Sequence, residues 1–246
     1  MSSRRMNKSI QSPPGTPNSA PDADSPQAIA LALRSSSPKQ QQQQIDALIQ
    51  SEETAPLRLF VEQHDGPATV AVGQILQGLA QFSEPLAEGE LDSWVASLVP
   101  LASDRGVDYQ PLRDRLLAQD FEQADRITLA KLCELAGEAA VARKWLYFSE
   151  VGQFPSADLQ TIDFLWRIFS QDKFGFSVQR ELWLGVGQNW DRLWPKIGWR
   201  GDTWTRYPDG FTWSLTAPRG HLPLSNQLRG VRVMAALMEH PAWQKG

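Results

Sequence analysis

The sequence predicts an all-α protein in which a small amino-terminal helical bundle precedes a second, mostly helical domain with a long aromatic loop. Between residues 45 and 190, apolar residues recur with the i, i+3, i+4 spacing that is typical of amphipathic helices. After residue 190 the helical spacing ends, and the segment that follows is rich in Gly, Pro and aromatic residues, which predicts the loop. A chain of 246 residues with 41% hydrophobic residues has room for one large domain or two small ones.

Residues 1–44 have the composition of a disordered tail. Six of the 17 Pro residues fall here, aromatic residues are absent, and the stretch ends in a glutamine run at 40–44. Such a segment buries too little apolar surface to offset the entropy of ordering, so we expect at most a transient helical turn over 28–33. No apolar signal-peptide core lies near the start, which predicts an intracellular protein with a reduced thiol.

Residues 45–103 predict four short amphipathic helices joined by short loops. Each group of apolar residues has the same helical spacing: Ile45, Leu48 and Ile49; Leu57, Phe60 and Val61; Val72, Ile75, Leu76 and Leu79; Leu91, Trp94, Val95 and Leu98. Such helices form a small bundle or a pair of helical repeats. Since no polar residue recurs on their faces, we interpret this unit as a packing or interaction module.

Residues 104–246 form the second predicted domain. Its predicted elements are, in order, a short helix over 109–117, three helices capped by Asp120, Ser156 and Ser177, and a final helix over about 224–238. The helix that begins after Asp120 is expected to end at Gly137.

Charge divides the chain unevenly. Residues 45–163 carry 8 basic and 20 acidic side chains, whereas residues 164–246 carry 11 basic and 6 acidic side chains. The aromatic carboxy-terminal third is therefore cationic, which favours a flat, negatively charged partner. The overall net charge of −4 and the pI near 5.5 argue against a dedicated nucleic-acid binder.

Few residue patterns suggest catalysis. His64, His221 and His240 show no metal-ligand spacing, so we expect each to be a surface or loop residue and predict no metal site. Cys133 lies among the apolar residues of a predicted helix, which indicates a buried, unreactive thiol. No phosphate-binding glycine loop or nucleophile elbow is present in the sequence. These observations favour a non-catalytic protein.

Ten Trp residues are present, and eight of them lie after residue 163. One interpretation is that these rings form the core of a loop that wraps the helices; the other is that some of them line an apolar groove. We expect about six of the eight to be core, and one or two aromatic side chains to face a ligand. Asn226 and Arg229 lie about one helical turn apart at the predicted start of the final helix, where backbone amides and Arg suit a carboxylate.

Ordered motifs across residues 105–243 resemble the genomes-uncoupled-four family of porphyrin-binding magnesium chelatase regulators. The motifs are Asp108-Tyr109 through Leu112, Gln119-Asp120-Phe121 with Ala124-Asp125, Trp145 with Phe154-Pro155, Asp158-Leu159-Gln160-Thr161-Ile162-Asp163, Phe174-Gly175-Phe176-Ser177-Val178-Gln179, Trp194-Pro195-Lys196-Ile197-Gly198-Trp199, Gly220-His221-Leu222-Pro223 and Asn226-Gln227-Leu228-Arg229-Gly230. The helical unit before them resembles the amino-terminal bundle of cyanobacterial members, which favours a cyanobacterial source.

The resemblance implies a helical "cupped hand" fold with a large groove that binds protoporphyrin IX and magnesium protoporphyrin IX. The porphyrin-binding residues that it implies are Phe148, Val151, Tyr207, Phe211, Asn226 and Arg229, to which the apolar loop tip adds Leu222. Tyr207 lies where some members of the family have Trp, and it retains a ring face.

The resemblance further implies a regulator without a catalytic cofactor, which stimulates magnesium chelatase in chlorophyll biosynthesis through the large porphyrin-binding subunit of that enzyme. We expect such a protein in the cytoplasm of a photosynthetic cyanobacterium, with peripheral association at thylakoid or envelope membranes, or in the plastid stroma if the source is eukaryotic. The alternative is a protein-interaction scaffold whose aromatic loop docks a partner without a small-molecule ligand.

Overall fold

The structure is a computed structural model that describes residues 24–82, 86–224 and 231–244. Within these ranges it is helical and has no β-strand; one isolated antiparallel bridge joins Arg200 and Trp204. The helices are α1 (Pro26–Ser35), α2 (Pro38–Gln50), α3 (Thr54–Glu62), α4 (Val70–Leu79), α5 (Glu90–Leu98), α6 (Gln110–Leu117), α7 (Phe121–Ala136), α8 (Glu138–Arg143), α9 (Phe148–Val151), α10 (Ser156–Ile168), α11 (Phe176–Gly185), α12 (Trp190–Lys196) and α13 (Arg232–Glu239), followed by a 3₁₀ turn at Pro241–Trp243. The all-α prediction is confirmed.

Two helices lie where a disordered tail is predicted. α1 begins after Ser25, whose side chain caps it, and buries Ala30 and Leu33 where it packs on α3. α2 contains the glutamine run and packs on α4. For residues 24–44 the predicted disorder is therefore wrong, because a few apolar side chains suffice to order a helix that neighbouring helices cover. Residues 1–23 lie outside the described residues.

α4 joins the amino-terminal helices to the rest of the chain. It is buried along its whole length, since α2 and α3 pack on it from one side and α10 from another. The Gln77 side-chain amide donates to Leu116 O at 2.8 Å and to Phe169 O at 2.9 Å. A Cβ atom built on Gly73 would lie 2.4 Å from Ile168 O, so only glycine permits this approach of α4 to α10. The two predicted units therefore share one hydrophobic core.

The second predicted domain begins in the loop between α5 and α6, and its division from the first at residue 103 stays a prediction. Asp120 caps α7, and the helix ends before Gly137, as predicted. Ser156 and Ser177 are not caps, because each lies within the first turn of its helix. Ser177 instead donates its backbone N–H and its hydroxyl to the buried Asp163, at 2.8 and 2.6 Å.

The described part of the final helix begins later than predicted. Leu224 is not helical, residues 225–230 lie outside the described residues, and α13 begins at Arg232. The positions of Asn226 and Arg229 therefore lie outside the described residues.

The aromatic loop lies against α11 and α12. The Gln179 side-chain amide donates to Gly220 O at 3.0 Å and to Pro223 O at 2.8 Å, which holds the end of the loop to α11. The eight Trp residues after 163 divide into Trp166, Trp183, Trp194 and Trp199, which are buried, Trp190, Trp213 and Trp243, which are partly buried, and Trp204, which is exposed. Four of the eight rings are buried, against the six expected, while Trp190, Trp213 and Trp243 pack against the core and remain partly exposed.

Candidate functional site

A recess between α7 and α8 combines an apolar floor with a charged rim. It has a volume of about 330 Å³ and is lined by Arg126, Leu129, Ala130, Cys133, Glu134, Val141 and Lys144. Its α7 members share one face of the helix, beside the face that packs into the core. The recess therefore places apolar surface next to two cationic side chains, Arg126 and Lys144, and one anionic side chain, Glu134.

Tyr207 meets this recess from the aromatic loop. Arg126 Nε donates to Tyr207 Oη at 3.2 Å, while Arg126 Nη2 donates to Glu122 Oε1 at 2.6 Å. The Tyr207 side chain is 43% exposed, and its ring lies edge-on to Trp213 with the centroids 6.1 Å apart. The recess and Tyr207 together form what we call the groove.

Phe211 and Leu222 lie beneath the surface of the loop. Phe211 is 5% exposed and Leu222 is fully buried. The Phe211 ring packs against Trp213 and His221, with centroid distances of 6.0 and 5.3 Å. In this structure both predicted site residues support the loop that carries Tyr207, rather than forming its outer surface.

His221 fixes the loop with both of its ring nitrogens. Nδ1 lies 2.6 Å from Ile197 O, and Nε2 accepts a hydrogen bond from Thr212 N at 3.2 Å. Because a carbonyl oxygen only accepts, His221 is neutral with its proton on Nδ1. Burial lowers the pKa of His221 below its ordinary value. All three His residues lie in loops, but His221 and His240 are buried and not at the surface.

The other predicted wall residues lie on α9, just after α8. Phe148 is 46% exposed, whereas Val151 is fully buried. The Arg232 guanidinium, at the start of α13, lies 5.3 Å from the centroid of the Phe148 ring. Phe148 is thus available to a ligand, and Val151 anchors α9 to the core.

A buried carboxylate ties α7 to the end of the aromatic loop. Asp125 is 5% exposed, and its Oδ1 accepts a hydrogen bond from Leu224 N at 2.6 Å. Burial raises the pKa of Asp125 to about 7, although the hydrogen bond from Leu224 and the charge of Arg126 favour the ionised form. This contact fixes the chain to α7 immediately before the sequence positions of Asn226 and Arg229.

Sequence reasoning missed the contributions of Arg126, Lys144 and Asp125. A signal for Arg126 existed, because its spacing to Leu129 and Cys133 marks a second, mixed face of α7. Lys144 follows the last residue of α8 in a left-handed conformation, with a φ of 62°. Because it lies outside the helix, helical spacing gives no signal for it.

No group of three or more His, Cys, Asp or Glu residues among the described side chains could hold a metal ion. Cys133 is a buried free thiol, as predicted, and burial raises its pKa to about 11. In the same ranges, none of the helices has the length and apolar character needed to cross a membrane.

The fold and the groove define a class of all-α proteins that present an apolar recess with a charged rim beside an aromatic loop. Residues 102–241 match the GUN4-like family. The chain therefore belongs to this family, which confirms the resemblance seen in its motifs.

Two relatives and one solved structure illustrate the similarity. The chain is 53% identical over 178 residues to the Ycf53-like protein of Synechocystis sp., covering 72% of this chain and 76% of that protein. It is 41% identical over 145 residues to the chloroplastic tetrapyrrole-binding protein of Arabidopsis thaliana, covering 55% of each chain. The structure of GUN4 from Chlamydomonas reinhardtii aligns with a TM-score of 0.57 and 44% identity, covering 59% of this chain and 96% of that one.

Proposed function

We propose that this chain binds protoporphyrin IX and magnesium protoporphyrin IX in the groove. The observation that carries the proposal is the apolar recess with Arg126 on its rim. A porphyrin has a wide apolar face and two propionates at one edge, and the groove has surfaces of matching character. The name of the Arabidopsis relative, a tetrapyrrole-binding protein, supports the same class of ligand.

The groove residues and the exposed Phe148 on α9 have distinct roles in this proposal. Arg126 and Lys144 attract and pair with the propionates. Tyr207 and Phe148, both nearly half exposed, cover part of the porphyrin face.

Two further sets of residues complete the proposed site. Val151, Phe211 and Leu222 hold α9 and the loop in place from below, since all three are buried. Asn226 and Arg229 add polar contacts at one end of the porphyrin, a role that rests on the family resemblance.

Loaded with porphyrin, the chain would stimulate magnesium chelatase in chlorophyll biosynthesis through the large porphyrin-binding subunit of that enzyme. It would act as a regulator and not as the catalyst. Membership of the GUN4-like family supports this role. We place the activity in the cytoplasm of a cyanobacterium, with peripheral membrane association through the cationic carboxy-terminal third.

Ring-removing variants test the proposed groove. Phe148→Ala and Tyr207→Ala each remove apolar surface that a porphyrin would cover, so each should weaken protoporphyrin IX binding by roughly tenfold. Leu31→Ala is the matched control, since Leu31 is 65% exposed on α1. Equal affinity of all three variants and the wild type would move the site elsewhere.

The regulatory role needs a separate assay. Magnesium insertion into protoporphyrin IX by assembled magnesium chelatase should accelerate when the wild-type chain is added, and less so with Tyr207→Ala at the same concentration. A chain that binds the chelatase subunit equally well with and without porphyrin, and leaves the rate unchanged, would favour the scaffold alternative.

A further inference from the structure

Four tryptophan rings are stacked in series along α11, α12 and the segment that follows. The ring centroids of Trp183 and Trp190 lie 5.2 Å apart at 29°, those of Trp190 and Trp194 lie 5.2 Å apart at 20°, and those of Trp194 and Trp199 lie 5.6 Å apart at 8°. We call these four residues the indole stack. Trp204, which is 49% exposed, branches from it with its centroid 5.6 Å from that of Trp194.

The inner end of the indole stack reaches towards the groove. Trp199 Nε1 donates to His221 O at 2.8 Å, and the His221 ring contacts Phe211. Phe211 in turn contacts Trp213, whose ring lies against Tyr207 at the groove. A series of ring contacts, one hydrogen bond to the His221 backbone and the covalent bonds of His221 therefore connects the groove with the exposed Trp204.

The surroundings of the indoles allow a one-electron oxidation to pass from one ring to the next. Trp199 donates its N–H to a carbonyl oxygen, which is too weak a base to take the proton, and the buried Trp183 Nε1 has no hydrogen-bond partner. An oxidised indole inside the stack therefore keeps its proton and remains a radical cation, which a neighbouring indole can reduce. At Trp204 water can take the proton, and the Arg200 guanidinium, 5.5 Å from that ring, favours its loss.

We propose that the indole stack is a one-electron relay between a tetrapyrrole in the groove and Trp204 at the surface, an inference that rests on the proposed function. Tetrapyrroles absorb visible light, and a photoexcited ring can give one electron to a dissolved acceptor such as dioxygen, which leaves the porphyrin radical cation. An electron from Trp213, whose ring lies against Tyr207, restores the neutral porphyrin. Trp199 then reduces Trp213, and Trp194 reduces Trp199. Trp204 supplies the last electron and loses its indole proton to water.

A dissolved reductant closes the cycle. A reductant of the ascorbate or thiol class returns one electron and one proton to the Trp204 radical. The net result is that the external reductant, and not the porphyrin, supplies the electron that the acceptor receives. The relay would thus protect the bound porphyrin from photo-oxidation.

Flash photolysis of the intact chain with bound protoporphyrin IX tests the relay, with methyl viologen as the electron acceptor. Trp194→Phe and Trp199→Phe keep an aromatic ring in the stack but replace an indole on the route to Trp204. Trp94→Phe on α5 is the control, since Trp94 lies outside the stack and the groove. Porphyrin binding is measured first for each variant by titration, so a failure of the proposed function is seen separately from a failure of the relay.

The relay predicts a tryptophanyl radical that appears as the porphyrin radical cation decays in the wild type. Both stack variants should lower the yield of the long-lived radical several-fold and speed porphyrin bleaching under steady light, while the control behaves as the wild type. Two stack variants are used so that a packing defect in one leaves the other as the test. Equal radical yields in all four proteins with porphyrin bound, or no tryptophanyl radical at all, would overturn the proposal.

Discussion

The carboxylate of Asp125 on α7 accepts a hydrogen bond from the backbone N–H of Leu224 at 2.6 Å, across 99 residues of chain. It is the point at which the long aromatic loop, after covering α11 and α12, is fastened to the helix that lines the groove. The bond is buried, so the carboxylate is held in a place where its charge is poorly solvated. The helix that lines the groove thus carries a buried group whose ionisation opposes folding.

Asp125→Asn should stabilise the protein at alkaline pH. Folding raises the pKa of Asp125 from 3.8 to about 7, so the folded state binds more protons than the unfolded state between these values, and the wild type loses stability as the pH rises through this window. Asparagine keeps an oxygen for the Leu224 N–H without the charge. We expect the variant to gain about 4 kcal/mol at pH near 8, and little near pH 4, in urea unfolding.

Asp125→Ala separates the charge from the hydrogen bond. It leaves the Leu224 N–H without its acceptor. The free energy of unfolding of the Ala variant should therefore be about 1–3 kcal/mol lower than that of the Asn variant at every pH. An Asn variant that shows the same pH dependence as the wild type would contradict the buried, raised-pKa carboxylate.

His221 should make the loop sensitive to acid. Its pKa is lowered in the folded protein, so the unfolded state takes up the proton first, and stability is retained above the ordinary pKa of 6.5 and falls below it. Protonation of Nε2 would also break the bond from Thr212 N. In an Asp125→Asn background, which removes the opposing slope, the free energy of unfolding should fall as the pH drops from about 7 to about 5.5.

Variants of two histidines assign this acid sensitivity. His221→Gln should reduce the slope. Burial also lowers the pKa of His240, so His240→Gln should remove a further part of the slope. A slope unchanged by the His221 substitution would refute the assignment.

Arg126→Ala should weaken porphyrin binding more than an Arg→Ala substitution outside the groove does. A charge-assisted hydrogen bond to a propionate contributes about 1.5–3 kcal/mol, which corresponds to roughly a tenfold or greater rise in the dissociation constant for protoporphyrin IX. Arg192→Ala is the control, because Arg192 is exposed on α12 and has the same charge. Tyr207→Phe, which loses the bond to Arg126 but keeps the ring, should have the smaller effect. Equal constants for the two Arg variants would argue against a propionate at Arg126.

Gly73→Ala tests whether α4 and α10 are packed as closely as the structure indicates. The added Cβ would lie 2.4 Å from Ile168 O, which is backbone and cannot rotate away, so we expect a loss of about 1–3 kcal/mol in chemical denaturation. Gly185→Ala, at the end of α11 with open space around it, should be neutral or slightly stabilising. An unchanged midpoint for Gly73→Ala would contradict a shared core between the amino-terminal helices and the rest.

Local patterns predicted most of the fold, since helix spacing and a cap such as Asp120 act over a few residues. The sequence does not predict α1 and the first half of α2, because the helices that stabilise them follow later in the chain and composition does not show that packing. The site was predicted through motifs of the aromatic loop, of which Tyr207 is exposed and Phe211 is buried. Arg126 became apparent only when the fold brought Tyr207 to it across 81 residues.

The central claim is that this chain carries a tetrapyrrole in its groove, and a titration of the intact protein with protoporphyrin IX tests it most directly. Ten Trp residues, several of them beside the aromatic loop, serve as the internal probe. The account predicts saturable quenching of tryptophan fluorescence at one porphyrin per chain, accompanied by a shift of the porphyrin Soret band. Absence of both quenching and the Soret shift, with the protein shown to be folded, would contradict it.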